Sequence, residues 1–333
     1  MTNGIDSVGV IGGGAWGTAL AQTLRLAGRD VALWAREPEV VADINERHVN
    51  SLFLPGVPLD PGLTATARLA DIARCDVILM VAPAQHVRAI SAEIHAHMRQ
   101  DQPLVMCAKG IEQASGKLME EVIAESAPEA TLAVLSGPSF AADVARGLPT
   151  ALTIACRNEE LGRKMAERLG YRQLRLYWSS DTKGVELGGA VKNVLAIAAG
   201  IVDGKRLGAS AHAALVTRGF AELRRFGEAY GARTETLMGL SGLGDLVLTC
   251  GSPQSRNMSL GRALGEGKSL ADILGHRRAV TEGVYTAAAV VRLARQKGIE
   301  MPIAEAVNDI VEGRTSVDDA IQRLMQRPFK AED

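Results

Sequence analysis

Lys192 lies in the run Gly188-Gly189-Ala190-Val191-Lys192-Asn193. On a helix, Gly188 and Gly189 fall one turn before the lysine, Leu195 and Ala196 one turn after it, and Ala199 two turns after. The amine therefore rises from a face of small, apolar residues. Two successive glycines cost a helix about 1 kcal/mol each relative to alanine, so a close approach by another part of the chain is a reasonable compensation. A lysine on such a face can also snorkel to water. Its chemical reading is sharper: hydride transfer to a ketone leaves an alkoxide that needs a proton, and an ammonium beside that oxygen supplies both field and proton.

A second group follows in Leu240-Ser241-Gly242-Leu243-Gly244-Asp245-Leu246 and Thr249-Cys250-Gly251-Ser252-Pro253-Gln254-Ser255-Arg256-Asn257. Asp245, an acid between apolar residues and after glycines, can orient Lys192, although a turn-forming Asp is the ordinary reading. Ser255, Arg256 and Asn257 precede an expected helix near Met258. The planar fork of Arg, the polar side chains and free helix N–H groups together make a phosphate-binding set, whereas any one of the three could be a cap. Lys109 follows the apolar run Leu104–Cys107, and Ser139 ends Ser136-Gly137-Pro138-Ser139. Both are expected at strand ends, where open parallel sheets bind ligands. Ser139 also reads as the N-cap of a helix from Phe140.

A cofactor site is expected at Val8–Gly17, VGVIGGGAWG. Gly12, Gly14 and Gly17 fall in G-x-G-x-x-G spacing after a buried-strand run and before a helix over Ala15–Ala27, with Gly28 as its cap. Gly12 takes the tight turn, Gly14 admits a diphosphate and Gly17 lets the helix pack against the strand. A chain with 35 glycines produces such spacings by chance, but the strand–helix–strand context makes chance the poorer reading. Arg36 ends the next strand and suits a 2′-phosphate, so NADP(H) is the preferred cofactor. Glu37 could accept a ribose hydroxyl and keeps NAD(H) available, and a merely solvated Arg36 is the plain alternative.

These residues need elements to hold them, and 333 residues suffice for two cores. Lys plus Arg total 37 against 38 Asp plus Glu, so no basic excess points to nucleic acid or an anionic membrane. The start MTNGIDSVGV lacks a signal-peptide pattern, and no uninterrupted apolar run reaches spanning length, so a cytoplasmic location without membrane insertion is expected. Cys75, Cys107, Cys156 and Cys250 are far apart and read as buried small hydrophobes; His95 and His97 point apart, so no metal site is expected. Strands are expected at Val8–Ile11, Val31–Trp34, Leu63–Thr66, Val77–Val81, Leu104–Cys107, Leu132–Leu135, Ala151–Ile154 and Leu174–Tyr177. Helical patterns between them include Val40–Arg47, Val87–Met98, Lys117–Glu125 and Leu161–Leu169. Beyond Ser180 the pattern is helical: Thr182–Val202, Ala211–Tyr230, Met258–Leu264, Leu270–Leu274, Gly283–Gln296, Ile303–Val311 and Val317–Met325. The expected fold is α/β: a Rossmann-type, mostly parallel sheet domain over residues 1–180 and an all-helical substrate domain over 181–333.

The glycine run with AWGTAL, Lys109-Gly110, SGPSFA at Ser136–Ala141, KNVLAIAAG at Lys192–Gly200, and SGLGDLVLTC with SRN resembles the bacterial NAD(P)-dependent sn-glycerol-3-phosphate dehydrogenases. The resemblance spans nearly the whole chain, with the motifs in order. It implies reversible reduction of dihydroxyacetone phosphate to sn-glycerol 3-phosphate, feeding phospholipid synthesis, with Lys192 as proton donor and acceptor. It implies substrate contacts at Lys109, Gly137, Ser139, Asp245, Ser255, Arg256 and Asn257. It implies cofactor contacts at Ala15, Trp16, Arg36, Lys109, Ala141, Arg256, Val280 and Glu282. Only the resemblance promotes Glu282, which otherwise reads as a helix N-terminal acid. The partner is a small phosphorylated molecule; the sequence does not set the assembly, and a homodimer is compatible with it. Two rivals are a hydroxyacid dehydrogenase of similar architecture and a dinucleotide-sensing protein without turnover.

Overall fold

The computed structural model describes residues 4–275 and 281–328. Eight strands, β1 (Ser7–Ile11), β2 (Asp30–Trp34), β3 (Thr64–Thr66), β4 (Val77–Met80), β5 (Pro103–Met106), β6 (Thr131–Ser136), β7 (Thr150–Cys156) and β8 (Leu174–Ser179), form one sheet in the order β3-β2-β1-β4-β5-β6-β7-β8. All eight expected strands are present. Every neighbouring pair is parallel except β6 with β7, where Ser136 faces Thr153. The exception follows from the connection, because residues 137–149 turn back along the same edge of the sheet rather than crossing it.

Between the strands lie α1 (Ala15–Leu26), α2 (Pro38–Ala42), α3 (Leu69–Ile72), α4 (Val87–His95), α5 (Met119–Ser126), α6 (Ala141–Ala145) and α7 (Glu159–Leu169). The helix expected over Val40–Arg47 is instead one α-turn followed by a π-helical turn at Asp43–Arg47. Alternate residues of β4 face opposite cores: Val77 and Leu79 pack with α1 and β2 residues, Ile78 and Met80 with Leu104, Met106 and Val122. Such two-sided burial is why this strand reads as a continuous apolar run.

The rest is helical: α8 (Thr182–Gly204), α9 (Ala209–Ala229), α10 (Thr234–Leu237), a π-turn at Leu240–Gly244, α11 (Asp245–Gly251), α12 (Arg256–Gly265), α13 (Leu270–Gly275), α14 (Glu282–Gln296), α15 (Pro302–Val311) and α16 (Val317–Met325). No strand occurs after β8 among the described residues. Three short pieces, α10, the π-turn and α11, carry no amphipathic period long enough to read from sequence. α8, N-capped by Asp181 onto the Gly184 N–H at 2.9 Å, is buried almost from end to end. By length and composition it could cross a membrane, but here it is the axis of the helical core. α12 crosses it backbone to backbone: a Cβ on Gly261 would lie 1.9 Å from the Ile197 carbonyl oxygen, and one on Gly200 1.9 Å from that of Met258.

Candidate active site

The site is built where the C-terminal ends of β5 and β6 meet the middle of α8. Lys109 leaves β5, and its ammonium donates to the Gly137 carbonyl just past β6 at 2.9 Å and to Asp245 Oδ2 at 2.7 Å. Lys192, from α8, donates to the other oxygen, Asp245 Oδ1, at 3.1 Å and to Thr249 Oγ1 at 2.7 Å. Thr249 in turn donates to Asp245 Oδ1 at 3.2 Å. One carboxylate, 1% exposed, thus holds two ammonium groups from different parts of the chain.

The glycines before Lys192 are explained by what approaches them. A Cβ on Gly188 would sit 2.6 Å from the Ser241 carbonyl oxygen, and one on Gly189 2.6 Å from Ser136 Oγ and 3.3 Å from Lys109 Cγ. These two positions let the π-turn that leads into Asp245, and the Lys109 side chain, lie against α8.

Burial pushes the Lys192 ammonium down to about 8; Asp245 resists that shift, and the like charge of Lys109 adds to it. For Asp245, burial alone would favour the neutral acid, but the two ammonium groups outweigh it and hold the carboxyl below its usual range. The group that can yield or take a proton near neutrality is therefore the lysine, with the carboxylate as its fixed counter-charge.

Asn193 links the neighbouring pieces. Its amide donates to the Lys109 carbonyl at 3.0 Å, its oxygen accepts from Asn257 Nδ2 at 2.9 Å, and Asn257 Oδ1 accepts from the Gly283 N–H at 3.0 Å. The Asn257 carboxamide is thus engaged inside the protein. Ser255 is the N-cap of α12, accepting from the Met258 N–H at 3.2 Å, so α12 begins two residues before the expected Met258. Arg256 is the first residue of that helix, and Glu282 is its charged neighbour. Ser139 does not cap a helix: α6 starts at Ala141 without a side-chain cap, and the Ser139 hydroxyl donates to the Gly137 carbonyl at 3.3 Å.

Several of the residues expected to hold the cofactor form a second group at the β1–β4 switch point. Gly12, at φ +126°, packs against the backbone of Val81 and Ala82, while a Cβ on Gly17 would meet Gly12 O at 1.9 Å. Gly14 is different, since a Cβ there meets no protein atom within 4 Å. The N-terminus of α1, at Ala15 and Trp16, has no side-chain cap and no acid in its first turn. This uncapped, open cradle fits a dinucleotide diphosphate. Trp16 is part-buried, and its Nε1 has no partner. Arg36 projects past β2, 73% exposed, paired with Glu37 at 3.0 Å.

Glu282 opens α14 and reaches the other domain, accepting from the Ala84 N–H at 3.2 Å. Its second oxygen has no partner and lies beside Gly110. Burial raises its pKa, against the pull of the Ala84 N–H and Arg256. Ala141 opens α6, and Val280 lies outside the described residues.

Sequence reasoning passed over Thr249 and Asn193 as functional residues. Thr249 stands four residues after Asp245, one turn along the same helix face, a signal usable only once α11 is recognised as a helix. Asn193 was screened by its neighbour Lys192, because only the tertiary fold shows which way its amide reaches.

Residues 7–162 match the profile described as NAD-dependent glycerol-3-phosphate dehydrogenase N-terminus, and residues 181–322 the corresponding C-terminus. The chain is 59% identical, over 100% of both chains, to a glycerol-3-phosphate dehydrogenase (NAD(P)+) of Parvibaculum lavamentivorans. It is 58% identical to one of Maricaulis maris, over 98% of each chain. A crystal structure of glycerol-3-phosphate dehydrogenase from Coxiella burnetii superposes with a TM-score of 0.92 at 38% identity, covering 97% of this chain and 99% of that one.

Proposed function

The chain belongs to the NAD-dependent glycerol-3-phosphate dehydrogenase family, and on that premise we propose how its own residues carry out the reversible NAD(P)-dependent interconversion of dihydroxyacetone phosphate and sn-glycerol 3-phosphate. The observation that carries the reading is the convergence of Lys109 and Lys192 on the single buried carboxylate of Asp245.

When bound, the nicotinamide supplies or takes the hydride. Lys192 gives its proton to the carbonyl oxygen of the ketone in reduction and recovers it from the hydroxyl in oxidation. Asp245 and Thr249 fix the direction of its N–H bonds, and Lys109 adds positive field beside the same oxygen. Arg256 and the open N–H groups at the start of α12 take the phosphate, so binding energy from a part of the substrate that does not react orients the part that does. Gly137 and Ser139 border this pocket through the carbonyl that Lys109 and Ser139 share. Gly12, Gly14, Ala15, Trp16, Gly17, Ala141, Val280 and Glu282 are proposed along the cofactor, with Arg36 favouring NADPH through its 2′-phosphate. We further place residues 1–180 as the nucleotide domain, 181–333 as the substrate domain, and the enzyme in the cytoplasm supplying phospholipid synthesis; four buried, unpaired cysteines suit a reducing compartment.

The test is nicotinamide absorbance with dihydroxyacetone phosphate, with NADH and NADPH in parallel. Lys192→Ala should lose about 10²–10⁴ in kcat while keeping cofactor affinity; unchanged turnover would remove it from the chemistry. Arg256→Ala should chiefly raise KM for the phosphorylated ketone. An equal rise with a phosphate-free analogue would end the clamp assignment. A hydroxyacid dehydrogenase would instead turn over a carboxylate substrate in the same panel.

A further inference from the structure

The glycine run Gly12-Gly13-Gly14 is held from behind by a side chain 37 residues further along the chain. Asn50 follows the π-turn at Asp43–Arg47 and is fully buried. It closes the turn that it opens: the Leu54 N–H donates to the Asn50 carbonyl at 2.9 Å, and the Phe53 N–H to Asn50 Oδ1 at 3.0 Å. Only the oxygen end of a carboxamide can accept from an N–H, so the Nδ2 end is turned toward the glycines. There it donates to the Gly13 carbonyl and to Thr18 Oγ1, each at 2.8 Å. The Thr18 hydroxyl donates to the same Gly13 carbonyl at 3.3 Å.

Closing the turn at residues 50–54 uses the oxygens of Asn50; both N–H groups of its side chain go to the glycine loop. The peptide between Gly13 and Gly14 is trans, so its N–H points opposite to its carbonyl. With the Gly13 oxygen drawn toward Asn50 and Thr18, the Gly14 N–H points the other way. A Cβ on Gly13 would lie 2.6 Å from Ala35 Cβ, whereas one on Gly14 would meet no protein atom within 4 Å. One side of the loop is thus fastened and the other is open. Without the fastening, a peptide flanked by two glycines has little steric resistance to rotation.

We propose that Asn50 is a positioning residue for cofactor binding: its carboxamide, with Thr18, sets the plane of the Gly13–Gly14 peptide so that the Gly14 N–H meets the dinucleotide diphosphate. The inference rests on the proposed place of the diphosphate at this cradle. Asn50 lies behind the loop and acts through it, removing the cost of ordering these glycines when the cofactor arrives. The diphosphate is common to NADH and NADPH, so Asn50 serves both alike. Arg36, proposed for the 2′-phosphate, serves only one.

The experiment is nicotinamide fluorescence titration of the full chain with NADH and with NADPH, together with kcat and KM for both substrates. Asn50→Ala is expected to weaken both dinucleotides about ten-fold, by the same factor, while kcat at saturation and KM for dihydroxyacetone phosphate shift by less than about two-fold. Thr18→Val keeps the side-chain shape and stands in should Asn50→Ala unfold. It is expected to weaken both dinucleotides about two- to five-fold, and Thr18→Ser, which restores the hydroxyl, to recover native affinity. A packing defect alone would lower kcat through the folded fraction, and serine would not repair it. Asn50→Ala combined with Thr18→Val should bind little worse than Asn50→Ala alone, because both act through one carbonyl. Unchanged affinity in Asn50→Ala, or in Thr18→Val where Asn50→Ala does not fold, would overturn the role of Asn50. So would a loss confined to kcat, or unequal factors for NADH and NADPH. Gly14→Ala reads the premise separately. Native-like binding there removes the cradle and the inference with it; weakened binding there beside native-like binding in the Asn50 and Thr18 variants overturns Asn50 alone.

Discussion

Lys192 is poised because burial and its neighbours pull in opposite directions. With its pKa brought down to about 8, it is still mostly protonated at pH 7. In the proposed mechanism reduction uses that proton, so log kcat/KM for dihydroxyacetone phosphate should be flat below pH 8 and fall above it; oxidation of sn-glycerol 3-phosphate should rise over the same limb. In Asp245→Asn the opposing negative charge is lost while burial and Lys109 remain, so the limb should move about one unit or more toward acid, with kcat also reduced. A pH–rate profile that stays in place would mean that Asp245 does not set the charge on Lys192. At the adenosine end, Arg36→Ala should raise KM for NADPH about ten-fold and leave that for NADH nearly unchanged, because only NADPH offers a phosphate to the fork. Lys192, Lys109 and Asp245 were legible because each interrupts an apolar or glycine-rich run. Their shared contact was not, since it joins positions 53 and 136 residues apart.

At the scale of elements, glycines differ in what a side chain there would meet. Gly14 has ordinary extended backbone, φ −68° and ψ 177°, and a Cβ would meet no protein atom within 4 Å. Gly14→Ala should therefore melt close to the native temperature yet bind NAD(P)H more weakly; a stability loss with intact cofactor binding would contradict the cradle. Gly261→Ala is the converse, since its Cβ would press on the Ile197 carbonyl, a backbone atom that cannot swing aside. It should cost about 1–3 kcal/mol in denaturant unfolding and displace α12 with Arg256 on it. The G-x-G-x-x-G run could be read from sequence because its partners are local. The α8–α12 crossing could not, because the helix it serves is distant in the chain. Short turns at Leu240–Gly244 and Asp43–Arg47 escaped for another reason: their π geometry follows no period.

Across the whole molecule, the mostly parallel sheet and the helical second half followed from the alternation of patterns; the antiparallel β6–β7 pair and the seam between the halves required the fold. That seam is polar and buried. Glu186 of α8 accepts hydrogen bonds from the Met119 and Glu120 N–H groups at the start of α5, inside the contact between the sheet domain and the helical domain. Burial first, and then the nearby Glu120 charge, push its carboxyl up to about 8 despite those N–H groups. Glu222, which accepts from the Ile303 and Ala304 N–H groups under α15, is likewise raised by burial, to about 7. Both acids bind their proton more tightly in the folded chain than at an ordinary carboxyl, so the stability they contribute is fully present below about pH 4.5 and is lost as pH rises through about 7 and 8. Stability should accordingly decline between about pH 5 and 8, the interval in which both acids lose the folded-state advantage. Replacing Glu186 by Gln removes one titration from that interval, so Tm measured against pH should fall less steeply in Glu186→Gln than in the native chain. Parallel curves would show that the seam carries a charged carboxylate throughout, with the helix N–H groups outweighing burial.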